Sequence, residues 1–158
     1  MEGTAAMAIP ATTTEPRLRH EEKHQVNLRE ALVLSRRLEK LFPRDPHAGP
    51  EGSYQVVSLY YDDPYDTALR QKLDGVDRRE KFRLRYYGEK PAFFKLEKKY
   101  KVKGLCGKGA CRLSREEGER LLRGDFAFLL EKEESLAREF YAKPVSYTHL
   151  RAHETAAN

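Results

Sequence analysis

Cations alternate with apolar side chains in residues 81–87, which read KFRLRYY. Lys81, Arg83 and Arg85 therefore share one face of a predicted strand, because successive side chains of a strand point to opposite faces. Two arginines at this spacing suit a phosphate group, since each planar guanidinium can donate two hydrogen bonds to phosphate oxygens. The pattern indicates a strand with one face that could hold a phosphate-bearing anion.

The same alternation continues in the next two segments of the chain. Residues 92–100 place Glu97 and Lys99 on one face of a second strand, and residues 105–113 can form a third, although glycines weaken that prediction. Antiparallel neighbours would combine their cations into a charged wall. Two acids, Glu21 and Glu97, lie among these cations, as a metal ion that bridges to phosphate oxygens requires. The alternative is a basic face that only meets water.

The charge of the chain is concentrated in one stretch. The 158 residues carry a net charge of +5, yet residues 78–108 contain twelve basic and three acidic side chains, a net +9 that leaves −4 for the remainder. Such a region raises the local concentration of polyanions, including nucleotides, nucleic acid and polyphosphate. Charge density alone does not separate these ligands from a solvated surface.

Periodicity predicts the elements that position these residues. Strands are predicted near 17–26, 54–62, 80–87, 92–100 and 105–113. Helices are predicted at 27–42, 66–73, 114–124 and 126–141. Capping-box pairs, Asn27 with Glu30 and Ser114 with Glu117, open two of the helices. Residues 1–16 lack periodicity and are predicted to be a disordered leader. Runs of strands and helices in this arrangement predict an α+β fold.

Several classes of protein are excluded by composition. No apolar run approaches the roughly 18 residues that a membrane span needs, and the first residues do not form a secretory signal. Cys106 and Cys111 cannot build a disulfide framework and are expected to be free thiols. His149 and His153 have the spacing of a helical zinc pair but no evident third ligand, so that a zinc site is not expected. A cytoplasmic location is the default expectation.

Four motifs occur in a recognisable order: RHEEK at 19–23, SLYYD at 58–62, RLRYY at 83–87 and LEKK at 96–99. Together they resemble the VTC domain, the polyphosphate polymerase branch of the triphosphate tunnel metalloenzymes, a CYTH-like superfamily. The resemblance runs from residue 17 to residue 144. The pattern Arg19-x-Glu21-x-Lys23, in place of paired alternating glutamates before a lysine, favours the polymerase branch over the hydrolases.

The resemblance implies a fold, an activity and a set of site residues. The family fold is an antiparallel β-barrel whose tunnel is lined with Lys, Arg and Glu, and members build inorganic polyphosphate from ATP with a divalent metal, Mn²⁺ or Mg²⁺. Carried over by position, the phosphate-binding residues would be Lys23, Arg83, Arg85, Lys99, Lys108 and Arg112. The candidate metal ligands would be Glu21 and Glu97. Phosphoryl transfer fits such a site, because it needs positioning and charge neutralisation more than a covalent catalyst.

Departures from the family pattern lead to further expectations. The predicted strands amount to an incomplete half-barrel with bracing helices over residues 17–144, and residues 145–158 resemble a non-native tail. The chain alone is therefore expected to be catalytically incompetent. The alternatives are a triphosphate hydrolase of the same fold and a non-catalytic polyanion- or RNA-binding module. The expected partners are ATP and inorganic polyphosphate or triphosphate, with no specific nucleic acid and with room for a membrane partner that receives the product.

Overall fold

A computed structural model describes residues 18–49 and 52–143, together with the backbone of residues 149–157. The elements follow in the order α1 (Leu28–Leu38), β1 (Tyr54–Asp62), α2 (Thr67–Leu73), β2 (Arg79–Tyr87), β3 (Phe93–Val102), β4 (Leu105–Ser114), α3 (Arg115–Leu122), a 3₁₀ helix (Ala127–Glu131), α4 (Ser135–Tyr141) and β5 (His149–Ala157). All neighbouring strands are antiparallel, and their order in the sheet is β4-β3-β2-β1-β5. The chain is thus an α+β protein.

The sheet is open in the part of the chain that the structure describes, with β4 and β5 at its two edges. The four strands predicted between residues 54 and 113 are confirmed, each to within two residues. The leader predicted for residues 1–16 lies outside the described residues. The non-native character predicted for residues 145–158 stays a prediction, although the backbone of 149–157 pairs with β1.

One face of the sheet carries the core. Phe82 and Leu84 on β2, Leu96 on β3 and Leu113 on β4 are 0% exposed. They pack in one cluster with apolar side chains of the helices that follow β4: Leu121, Phe128, Leu129, Ala137 and Phe140. Alternation places most of the charged side chains of the same strands on the opposite face, although Glu80 and Lys98 share the face of Phe82. The core therefore lies on the helix side of the sheet.

Helix α3 covers this core face closely. Its N-terminus is a capping box, in which the Glu117 N–H donates to Ser114 Oγ (3.2 Å) and the Ser114 N–H donates to the Glu117 carboxylate (2.8 Å). This confirms the predicted cap. Gly118 faces the Phe94 ring, and a Cβ there would lie 2.1 Å from the ring. Glycine thus lets the helix backbone approach the sheet.

The segment after α3 differs from the prediction of helical structure across 126–141. The 3₁₀ helix ends at Glu131, the backbone of Lys132 is extended (φ −74°, ψ 138°), and α4 begins only at Ser135. Two short helices replace one because Phe128 and Leu129 in the first, and Phe140 in the second, must all reach the core. The helical period therefore predicted the burial of Leu129, Ala137 and Phe140 correctly, but Leu130 is exposed and the helix is not continuous.

The N-terminal part also departs from prediction. The strand predicted near 17–26 is wrong for the described residues 18–26, where a single antiparallel bridge joins Arg19 to Cys106 of β4. Residues 18–26 are exposed and densely charged, so that no buried side-chain row extends the ladder. The Asn27 capping box is confirmed, but α1 ends at Leu38, and none of its side chains is buried within the described residues.

Helix α2 is fixed to the end of β1 by the carboxylates of Asp62 and Asp63, the latter accepting from the Thr67 N–H (2.9 Å). Asp62 accepts hydrogen bonds from the backbone N–H groups of Ala68 (2.9 Å) and Leu69 (3.1 Å). Gly75, at φ +68°, ends the helical segment as predicted. The consequence is that Lys72, in the last turn of α2, lies near the start of β2. No helix in the described residues is long and apolar enough to cross a bilayer.

Candidate anion-binding face

The face of the sheet opposite the core is defined here as the basic face. Strand register sorts its side chains into rows that run across β2, β3 and β4. In order along β2 the four rows are Arg79–Lys101–Cys106, Lys81–Lys99–Lys108, Arg83–Glu97–Ala110 and Arg85–Lys95–Arg112. Strand β1 adds Tyr60 beside Arg83 and Ser58 beside Arg85. The alternation read from the sequence thus does place the predicted cations of these strands on one face.

Glu97 lies at the centre of the basic face and is 2% exposed. Its Oε2 accepts from Arg83 Nε at 2.6 Å and lies 3.8 Å from Arg85 Nε. Its Oε1 lies 2.8 Å from Lys108 Nζ. One buried carboxylate therefore neutralises part of a three-cation cluster contributed by β2 and β4.

The electrostatics of this cluster favour the charged forms. Burial raises the pKa of the Glu97 carboxyl, but the hydrogen bond from Lys108 and the charge of Arg83 outweigh burial and hold that pKa below its ordinary 4.5. Arg83 also donates to the Tyr60 hydroxyl (3.2 Å), and Arg85 donates to Ser58 Oγ (3.2 Å). Burial raises the pKa of Tyr60, and the contact with Arg83 more than offsets this, so that the net shift is downward. The two arginines are held in place by β1 as well as by Glu97.

A second, more exposed carboxylate approaches the same face from the N-terminal segment. The Arg19–Cys106 bridge brings this segment to β4, and Lys99 Nζ then lies 2.5 Å from Glu21 Oε2. Lys23 is 4.0 Å from Glu21, and its side chain is 83% exposed. The hydrogen bond from Lys99 lowers the pKa of Glu21 below 4.5. Residues 19–23 therefore reach the basic face without forming a strand, and they bring Glu21 to Lys99.

The residues predicted to bind phosphate separate into three groups. Arg83, Arg85 and Lys108 surround Glu97, and Lys23 and Lys99 lie beside Glu21. Arg112 stands apart, in the last row, where its guanidinium stacks on the Phe93 ring at 4.1 Å. The basic face thus brings five of the six predicted cations to two carboxylates and leaves Arg112 at its margin.

A cleft at one end of the basic face was missed by the sequence analysis. It has a volume of about 350 Å³ and lies between the N-terminal segment, α2 and the first two rows. Its cationic lining is Lys23, Lys72, Arg79, Lys81, Lys99 and Lys101. The two-residue period could have extended the face to Arg79 and Lys101. Lys72 gave no such signal, because it reaches the cleft from a separate helix.

The candidate metal ligands differ in how well they fit a divalent cation. No cluster of three or more His, Cys, Asp or Glu side chains suited to a metal occurs among the described residues. Both oxygens of Glu97 are engaged by cations, so that this carboxylate does not fit. Glu21 borders the cleft and its side chain is 26% exposed. It fits the mode in which Mg²⁺ is held by one or two carboxylates together with substrate phosphates.

The two cysteines behave as predicted. Cys106 and Cys111 are buried free thiols on opposite faces of β4. Burial raises the pKa of Cys111 to about 11, which keeps the thiol protonated at neutral pH. The side chains of His149 and His153, the pair with the spacing of zinc ligands, lie outside the described residues.

The fold and the site together define the class of the protein coarsely: an α+β domain whose open antiparallel sheet gathers cations around a buried glutamate. The match to known families is more specific. The VTC domain family model matches residues 18–153, and the chain belongs to that family. This confirms the resemblance that the four sequence motifs carried. No curated protein gives a significant match to the chain.

Proposed function

We propose that the basic face binds linear chains of phosphate, and that it serves a phosphotransferase that makes inorganic polyphosphate from ATP. The observation that carries the proposal is the cluster of Arg83, Arg85 and Lys108 around Glu97. Three cations share one carboxylate, so that the cluster keeps a net positive charge that a phosphate group could neutralise. Membership of the VTC domain family supports the same function.

The form of the face supports a chain-like ligand over a single anion. Each of the four rows contains at least one cation, and successive rows are about 7 Å apart, since a strand advances about 3.4 Å per residue. A linear polyphosphate could therefore contact several rows at once. The two arginines, held by Tyr60, Ser58 and Glu97, offer a preorganised pair of planar donors.

The proposed reaction moves the γ-phosphoryl group of ATP to the terminal oxygen of a polyphosphate chain, with ADP as the leaving group. Arg83 and Arg85 would orient the triphosphate and balance its charge, which is the main demand of phosphoryl transfer. A divalent metal, Mn²⁺ or Mg²⁺, is part of the proposal and would supply further charge neutralisation on phosphate oxygens, with Glu21 as the carboxylate that would hold it.

The triphosphate tunnel is likewise a proposal. The basic face would form one wall of that tunnel. Use of ATP makes a cytoplasmic location part of the same proposal. The tunnel and the location are additions to the proposed binding of phosphate chains, which is supported by the cations around Glu97.

The test is the binding of tripolyphosphate measured by titration calorimetry at physiological salt. Wild-type protein should bind, and Arg83→Gln should weaken binding about ten-fold or more, because a charge-assisted hydrogen bond contributes about 1.5–3 kcal/mol. Arg123→Gln is the matched control, since Arg123 is exposed on α3 and lies away from the basic face. It should leave affinity unchanged.

Two results would overturn the proposal. One is failure of the wild-type protein to bind tripolyphosphate. The other is tighter binding of a single-stranded RNA oligomer than of tripolyphosphate, with a steep loss of affinity as salt rises, which is the behaviour of a nucleic-acid-binding module.

A further inference from the structure

The second row of the basic face places three lysines side by side. Lys81, Lys99 and Lys108 are direct cross-strand partners on β2, β3 and β4. Like charges directly opposite each other destabilise a sheet. The row is thus a poor arrangement for stability unless anions lie near it.

Two of the three lysines have an anionic partner. Lys99 pairs with Glu21 (2.5 Å), and Lys108 pairs with Glu97 (2.8 Å). Lys81 forms no ion pair with a carboxylate among the described residues, and its ammonium lies instead 5.0 Å from the centre of the Tyr60 ring. Burial lowers the pKa of Lys81; Tyr60 opposes this, but the charges of Lys99 and Lys72 add to it, so that the net shift is downward. The positive charge of the row is therefore least compensated at Lys81.

Lys81 lines the cleft at this end of the basic face. The cleft volume of about 350 Å³ lies within the roughly 300–1,000 Å³ of typical small-ligand sites. Lys72, Arg79 and Lys101 line it together with Lys81. One of its two acids, Glu80, is shared with Lys98 (2.8 Å) and Lys143. The cleft therefore has an excess of cations that its own carboxylates do not match.

We infer that the part of the cleft around Lys81 and Lys72 is a further phosphate subsite, which adjoins the residues already described and takes the phosphate groups of a linear polyphosphate that extend beyond those held at Arg83 and Arg85. The inference rests on the proposed function. It assigns to α2, an element outside the sheet, the role of extending the binding track. It also implies that the preference of the protein for long chains over short ones is set in this cleft.

The test compares long-chain polyphosphate with tripolyphosphate on Lys81→Gln and Lys72→Gln proteins, by titration calorimetry at several salt concentrations. Each variant should lose about ten-fold in affinity for the long chain, with a smaller loss for tripolyphosphate, because each removes one charge-assisted contact. The slope of log affinity against log salt concentration should fall in magnitude by about one, because one cation–phosphate contact is lost. Lys81→Arg should restore the long-chain affinity. Lys90→Gln, in the exposed turn after β2, is the matched control and should behave as wild type.

Thermal melting separates this inference from a folding defect. Without ligand, Lys81→Gln should melt at the same temperature as wild type or higher, because the substitution relieves repulsion within the lysine row. Long-chain polyphosphate should then raise its melting temperature less than it raises that of wild type. A lower melting temperature without ligand, with the ligand-induced rise unchanged, would assign Lys81 a structural role and refute the subsite.

Failure of the inference is distinguishable from failure of the proposed function. If wild-type protein binds no phosphate chain, the proposed function fails. If wild type binds and Arg83→Gln loses affinity, but Lys81→Gln and Lys72→Gln both keep wild-type affinity for long chains, only the subsite is wrong.

Discussion

Each face of the sheet has a buried side chain near its centre, and the two are buried for opposite reasons. Leu96 on the apolar face is 0% exposed, and its neighbour Glu97 on the basic face is 2% exposed. Leu96 is stabilised by removal of apolar surface from water, which requires no particular partner. Glu97 is tolerated there only because Arg83 and Lys108 meet its oxygens. The apolar face thus stabilises the fold unconditionally, whereas the basic face depends on charge balance.

This difference has a functional meaning. A face stabilised by burial should be indifferent to anions and, in the range where proteins stay folded, to pH. A face balanced by a few carboxylates should respond to pH, to salt and above all to a ligand that can replace their charge. The following predictions test whether the two faces separate in this way.

The largest effect is expected from Leu96→Ala. It removes a fully buried side chain from the core cluster and should reduce the free energy of unfolding by about 2–5 kcal/mol. Chemical denaturation measures the change. Lys95→Ala, one position away on the opposite face, is the control and should cost less than about 1 kcal/mol. A loss under 1 kcal/mol in Leu96→Ala would show that this face is not the core.

Glu97→Gln should produce two effects of opposite sign. The amide no longer balances Arg83, Arg85 and Lys108, so that stability should fall by about 1.5–3 kcal/mol, the worth of a hydrogen bond to a charged group. The same uncompensated cations should bind tripolyphosphate more tightly, and saturating ligand should recover much of the lost stability. Denaturation with and without tripolyphosphate measures both effects.

Glu89→Gln, at an exposed position in the turn after β2, is the control for Glu97→Gln and should change neither quantity. If Glu97→Gln instead weakened tripolyphosphate binding, the carboxylate would serve to position the arginines for the ligand. Charge balance would then not be its main role.

Much of the basic face could be predicted from the sequence because a strand repeats every two residues. Knowing that Lys81, Arg83 and Arg85 alternate with apolar side chains was enough to place them on one face opposite the core. The capping boxes at Asn27 and Ser114 could also be predicted from local sequence, because each depends on two side chains three positions apart. Local sequence patterns were therefore sufficient to predict strands β1 to β4, the two capping boxes and most of the residues on the basic face.

The remainder depended on contacts between distant segments. Nothing near Lys72 indicates that α2 approaches β2, and nothing near Glu21 indicates that one bridge to Cys106 would replace a whole strand. The break at 132–134 was hidden because helical spacing describes which side chains face the core, and two short helices can satisfy it as well as one. Tertiary packing decided each of these points.

Acid should weaken the basic face first. Because the pKa of Glu97 lies below 4.5 in the folded protein, its carboxylate contributes stability that is fully present above about pH 4.5 and is lost as the pH falls through the folded value. The stability difference between wild type and Glu97→Gln should therefore shrink as the pH falls from about 4.5 through the lowered pKa of the folded-state carboxyl. Denaturation across this range measures it. The difference caused by Leu96→Ala should stay constant, and a parallel decline of both would contradict the separation of the two faces.

The smallest effect is expected from a pair of tyrosines that lie next to each other on β1 and face opposite ways. The Tyr61 hydroxyl is buried against the core without a hydrogen-bond partner among the described residues, while its ring packs on Phe140 at 4.8 Å. Removing an unsatisfied polar group in Tyr61→Phe should leave stability unchanged or raise it by about 1 kcal/mol. Tyr60→Phe removes the oxygen that accepts from Arg83 and should lower stability by a similar amount. Melting curves of both variants test this difference. Equal shifts of the melting temperature in one direction would mean that loss of a hydroxyl has the same effect on both faces.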